Sequence, residues 1–89
     1  MKIFKYGIEI VNHQILSMPE GAQILSVQEQ MGQIQLWAIV EPNNALQEYA
    51  LCIFGTGRQM PSDMSNFVHI DTFQQAGGAL VWHIFLEQM

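Results

Sequence analysis

Cysteine occurs once, at Cys52, and Lys and Arg together only three times. A single cysteine excludes an intramolecular disulfide, and no cysteine-based zinc site is expected. Three basic residues against eight acidic ones leave a net charge of −5. Such a chain is not expected to bind long nucleic acid, which needs many cations to displace phosphate counterions. Nor is it expected to dock on an acidic membrane surface. A small ligand with one or two phosphates stays open, because backbone N–H groups can hold it. No apolar run approaches the length of a membrane span. The opening residues, MKIFKYGIEI, lack the apolar core and small-residue cleavage site of a signal peptide, so a cytoplasmic protein is expected.

Charged residues are also scarce. They make up 12% of the chain, about half the share usual in a soluble domain, while 49% is hydrophobic. A chain of 89 residues suits one domain, residues 1–89, with a small core. So short a chain has a high surface-to-volume ratio and cannot hide that much apolar surface alone. Self-association is therefore expected, as a dimer or tetramer.

What is present is a period of two, the mark of strands. KIFKYGIEI sets Phe4, Tyr6, Ile8 and Ile10 against Lys5, Gly7 and Glu9. NHQILSMPEGA reads as a return segment with a turn at Pro19 to Gly21. AQILSVQEQ sets Leu25 and Val27 against Ser26 and Gln28, and Met31 and Gly32 form a hairpin tip. QIQLWAIVEP sets Ile34, Leu36, Ala38 and Val40 against Gln33, Gln35, Trp37 and Ile39. QEYALCIF sets Tyr49, Leu51 and Ile53 against Ala50, Cys52 and Phe54. FVHIDTFQQ sets Val68 and Ile70 against His69, Asp71 and Phe73. ALVWHIFLE sets Leu80, Trp82, Ile84 and Leu86 against Val81, His83 and Phe85. A helical turn is tolerable only over 43–50. The expected fold is all-β: about six antiparallel strands in a curled sheet, small sandwich or open barrel, assembled as an oligomer. Several strands are apolar on both faces, which predicts that the second face packs on another subunit.

The loop FGTGRQMP is the best local signal for function. Gly55 and Gly57 allow positive φ and close backbone approach, and successive N–H groups in such a turn can form an anion nest. Thr56 adds a hydroxyl and Arg58 a fork suited to phosphate or carboxylate. Gln59 adds an amide able to read a base edge. A plain turn with a solvated arginine fits the same residues. The loop is not a P-loop, since it lacks the GKS or GKT ending and a following helix. Trp37, Trp82, Phe73 and Tyr6 are aromatics that can stack on a base, although aromatics in strands are more often core or interface. Trp37 is the least core-like, because its face also carries Gln33 and Gln35. His13, His69 and His83 are scattered, and no metal site or cofactor is expected. His69 and Asp71 share a strand face and are the one metal-binding or acid–base pair to consider; His83 is expected to be a hydrogen-bonded core or interface group. Ser26, Ser62 and Cys52 have no recognisable nucleophile setting, and neither G-x-S-x-G nor H-E-x-x-H occurs. No enzyme is expected.

The blocks MPEGAQILSVQEQMGQIQLWAIVEP, FGTGRQMP and TFQQAGGALVWHIF, which span nearly the whole chain, resemble a family of small, mostly phage- or prophage-encoded proteins. The resemblance implies a role in the host bacterial cytoplasm as a counter-defence sponge: a homo-oligomer that sequesters a cyclic dinucleotide signal of CBASS type without cleaving it. The loop chemistry then assigns ligand contacts to Thr56, Gly57, Arg58 and Gln59, with Trp37 or Phe73 stacking. The alternative is a small phage protein that inhibits a host protein by direct binding, through the apolar second faces and Met60 and Met64. A third possibility is a small nucleotide hydrolase using His69 and Asp71.

Overall fold

Alternating apolar and polar side chains, with Asn, Gly and Pro between the runs, turn one face of each strand toward a shared core. A computed structural model describes residues 1–88. It contains β1 (Lys2–Ile8), β2 (His13–Pro19), β3 (Gln23–Gln30), β4 (Gln33–Val40), β5 (Leu46–Gly55), β6 (Phe67–Gln75) and β7 (Leu80–Glu87). One turn of 3₁₀ helix, Ala76–Gly78, joins the last two strands. The strands form two antiparallel sheets, ordered β1-β4-β3 and β2-β5-β7-β6, that do not close into a barrel. Among the described residues, no helix is long and apolar enough to cross a membrane.

The core lies between the inner faces of both sheets. Ile34, Leu36, Ala38 and Val40 of β4 meet Leu51 and Ile53 of β5, Ile84 of β7 and Met18 of β2. These are the faces that the alternation in β4, β5 and β7 predicts. The hairpin tip is also where expected: Met31 and Gly32 have φ of 51° and 81°. Positive φ at both central residues is the type I′ turn that matches strand twist.

Two expectations need correction. Residues 13–19, expected to be a return segment, form strand β2, so the described residues hold seven strands rather than about six. Nor does 43–50 hold a helical turn, because β5 begins at Leu46 and pairs with β2 from there. Tyr49 anchors this start: its hydroxyl accepts from Ala22 N at 3.3 Å and donates to Pro19 O at 3.1 Å.

The seam between the sheets explains a further departure. β3 lies against β6, and each carries a bulge there, between Ile24 and Ser26 and between His69 and Asp71. A bulge adds one residue and flips the alternation beyond it. His69 therefore faces outward, whereas Asp71 turns to the seam. Its Oδ2 accepts from Val27 N at 2.8 Å and from Ser26 Oγ at 3.3 Å, and its Oδ1 accepts from Thr72 N at 2.8 Å. A carboxylate thus stands in for a backbone ladder between the sheets. The bulge separates the roles of His69 and Asp71, and the shared face expected of them is not formed. It also moves Phe73 onto the core face, where the ring is 3% exposed.

Candidate functional site

Strand β5 ends in a tight turn. Arg58 N donates to Gly55 O at 3.1 Å, and Gly57, in the third position, has φ of 89°. This is type II turn chemistry, and the third position favours glycine because a Cβ there clashes with the backbone. Gly55 meets a different constraint. It lies opposite Trp82 in the β5–β7 register, and a Cβ on it would stand 3.1 Å from the indole ring. Thr56 N donates to Val81 O at 3.2 Å. The N–H groups of Thr56 and Arg58 are therefore already committed, and the expected nest of successive free N–H groups is not available. Side chains must carry any anion recognition at this loop.

Those side chains are well placed. Phe54, Gly55, Thr56, Gly57, Arg58, Met60, His83 and Phe85 line an open hollow of about 260 Å³. Its floor is aromatic, with Phe54 and Phe85 edge to face at 5.9 Å between centroids. The Arg58 guanidinium lies over the Phe54 ring, 5.6 Å from its centroid. Its Nη1 donates to Asn12 Oδ1 in the β1–β2 connection. The arginine is thus laid on an aromatic face and held from a second loop, which differs from a freely solvated side chain. A guanidinium has five N–H donors, so most remain free among the described residues.

On the opposite wall, Thr56 Oγ1 and His83 Nε2 are 2.7 Å apart. The other ring nitrogen, His83 Nδ1, is 3.0 Å from Thr72 Oγ1, which in turn lies 2.9 Å from His69 Nε2. Hydroxyls and imidazoles therefore alternate in a line across β7 and β6. Such a line can pass protons or fix tautomers, and it presents Thr56 with a set orientation. His83 is exposed to the hollow on the outer face of its sheet, rather than sitting in the core.

The second apolar face has a local explanation. Ala50, Cys52 and Phe54 are buried, at 1%, 6% and 8% exposure, yet stand outside the core cluster. They lie on the outer side of β5, opposite Glu87, Phe85 and His83 of β7. Phe67 and His69 meet Phe85 edge on, at 6.5 and 5.3 Å. Aromatic neighbours on the same face thus cover much of what the sequence assigns to another subunit. Burial pushes the Cys52 thiol above its ordinary range, and the nearby Glu87 carboxylate adds to this. Beyond the hollow, Asp63 Oδ1 accepts from Ser65 N at 2.9 Å. That bond, with the Ser65 hydroxyl, holds the Asp63 carboxyl below its ordinary range.

The structure brings together Thr56, Gly57 and Arg58 of the expected ligand set. Gln59 is exposed beside them but does not line the hollow. The two expected stacking residues lie elsewhere. Trp37 is on the outer side of β4, opposite Lys5 and Ser26. Phe73 is in the core and touches a separate polar hollow of about 440 Å³ along the β3–β6 seam. That larger hollow is lined by Glu29 and Asp71 with no Lys or Arg, so it repels a phosphate. Phe54, Phe85, His83 and Met60 complete the smaller hollow. Sequence alternation puts Phe54, His83 and Phe85 on second faces, but their meeting depends on the β5–β7 register.

A family model described as a domain of unknown function, DUF7352, matches residues 1–89. The chain belongs to the DUF7352 family. No curated protein and no solved structure matches it. The loop hollow of this DUF7352 chain is therefore interpreted on its own chemistry.

Proposed function

We propose that the chain binds a small phosphorylated nucleobase ligand, a cyclic dinucleotide in particular, and holds it without turnover. In this reading it is a phage-encoded sponge for a bacterial immune signal, acting as a homo-oligomer in the host cytoplasm. The observation that carries the proposal is Arg58, held over Phe54 beside the Thr56–His83 pair. A base has a π-face that can meet the half-buried Phe85 ring. A phosphate takes the free guanidinium donors and the Thr56 hydroxyl.

Size supports a shared site. A hollow of about 260 Å³ falls below the roughly 300–1,000 Å³ usual for small-molecule pockets. It accommodates one base with its phosphate. A cyclic dinucleotide is itself two-fold or pseudo-two-fold, so two copies of the hollow across a dyad match it and supply two arginines per ligand. The acidic net charge opposes a dianion, but screening at physiological salt limits that opposition beyond about 8 Å.

Holding without turnover fits the histidine's surroundings. A general-base histidine is normally oriented by a carboxylate that stabilises its protonated form. His83 Nδ1 instead faces the Thr72 hydroxyl. Calorimetric titration with a set of cyclic dinucleotides tests the proposal. Binding of an intact nucleotide, weakened roughly 10- to 150-fold by Arg58→Ala through loss of charge-assisted hydrogen bonds, is expected. Equal affinity in Arg58→Ala and Thr56→Val removes the loop from the site.

A further inference from the structure

On the same outer face as the loop hollow, three metal-ligating side chains meet from three adjacent strands. His13 of β2 lies directly opposite Cys52 of β5, and Glu87 of β7 lies opposite Ala50, one step along. Their ligand atoms all fall within 4.8 Å of one another. His13 Nε2 and Glu87 Oε1 are 3.6 Å apart. We propose that His13, Cys52 and Glu87 form a binding site for a borderline-soft divalent cation, Zn²⁺ foremost.

The donor set and its spacing both favour that ion. Thiolate, imidazole and carboxylate are the three ligand types that Zn²⁺ takes, and carboxylate-preferring Mg²⁺ or Ca²⁺ has no use for a thiolate. Bond lengths of about 2.0–2.3 Å in a tetrahedral site put donors about 3.3–3.8 Å apart. The His13–Glu87 separation is already in that range, and the outer limit of 4.8 Å exceeds it by about 1 Å. Cys52 is the buried floor, while His13 and Glu87 are partly exposed rims, with side chains 52% and 36% accessible. A fourth position opens to solvent, where water completes the tetrahedron. Binding transfers the thiol proton to solvent and leaves a metal-bound thiolate.

The ion would act as a clip. β2 is an edge strand, paired only with β5 in its sheet, and His13 is its first residue. Linking it to β5 and β7 pins the end of the sheet beside Asn12, which also receives Arg58. This site shares no residue with the loop hollow, so it stands or falls separately from the nucleotide reading.

The test uses the full chain, reduced and stripped with chelator, titrated with Co²⁺ and then Zn²⁺. One Co²⁺ per chain is expected, with a thiolate-to-metal charge-transfer band and a tetrahedral visible spectrum, both abolished by equimolar Zn²⁺. Cys52→Ser removes the charge-transfer band and weakens Zn²⁺ binding at least about 100-fold, more than loss of a supporting residue costs. His13→Ala, at an exposed position that leaves the fold intact, weakens it at least about 10-fold. Thermal unfolding of the wild type shifts upward with Zn²⁺, and that of His13→Ala does not. A wild type without the charge-transfer band, or a His13→Ala variant that binds Zn²⁺ as tightly as wild type, overturns the proposal.

Discussion

Replacing Asp71 tests how the two sheets are held together. Asp71 Oδ2 is the acceptor for Val27 N at 2.8 Å, and Val27 is fully buried. Asp71→Ala leaves that N–H without a partner, at a cost of roughly 1–3 kcal/mol. The Ser26 hydroxyl and Thr72 N–H also lose an acceptor, but both are within reach of water and add less. The total is about 2–4 kcal/mol, a large share of the roughly 5–15 kcal/mol that stabilises a domain. For a domain of this size it lowers Tm by about 10–25 °C. Asp71→Asn keeps one carbonyl oxygen, which serves Val27 or Thr72 but not both, so it costs about half as much. Urea and thermal unfolding followed by circular dichroism give both values. An Asp71→Ala variant within about 0.5 kcal/mol of wild type, the usual range for a surface change, refutes the staple.

Other predictions follow from single contacts. Phe73→Ala costs about 3–5 kcal/mol because it empties a core position, whereas Phe73→Leu keeps the fold and leaves nucleotide affinity unchanged, as measured by calorimetry. Trp37→Ala also leaves that affinity unchanged, because the indole is on the other sheet. Gly57→Ala places a Cβ at φ of 89°, costs about 1–2 kcal/mol and weakens ligand binding while circular dichroism stays that of the wild type. Cys52 and Tyr6 titrate above their ordinary values of 9.0 and 10.0, both mainly through burial, with Glu87 and Tyr49 adding to it. The unfolded chain therefore releases these protons first, so stability is full below about pH 9 and falls as pH rises further. Urea midpoints between pH 7 and 10 measure the fall, and Cys52→Ala makes it shallower.

Period-two patterning made most of the fold legible. In β4, the alternation from Ile34 to Val40 contains no irregularity, and each apolar member of that series is in the core. β6 departs from its expected alternation for one physical reason. An extra residue at the bulge leaves the composition of FVHIDTFQQ strand-like while reversing which side chains face inward after it. Phe73 consequently lies in the core, and Asp71 lies at the seam rather than beside His69. The loop GTGR announces its own turn through glycine. Its floor and far wall come from residues 54, 83 and 85, which only the β5–β7 register aligns. His13, Cys52 and Glu87 are farther apart still along the chain, so no local spacing reveals them.

Native mass spectrometry of the full chain with a mixed set of cyclic di- and trinucleotides decides whether the protein is a nucleotide-binding oligomer, because one spectrum gives subunit number and bound mass together. A dimer or tetramer that gains the mass of an intact cyclic dinucleotide is expected, and an Arg58→Ala oligomer of the same size that gains it only at roughly 10- to 150-fold higher nucleotide concentration. An oligomer or monomer that gains no nucleotide, or an Arg58→Ala protein that gains it at the same concentrations as the wild type, refutes the nucleotide reading.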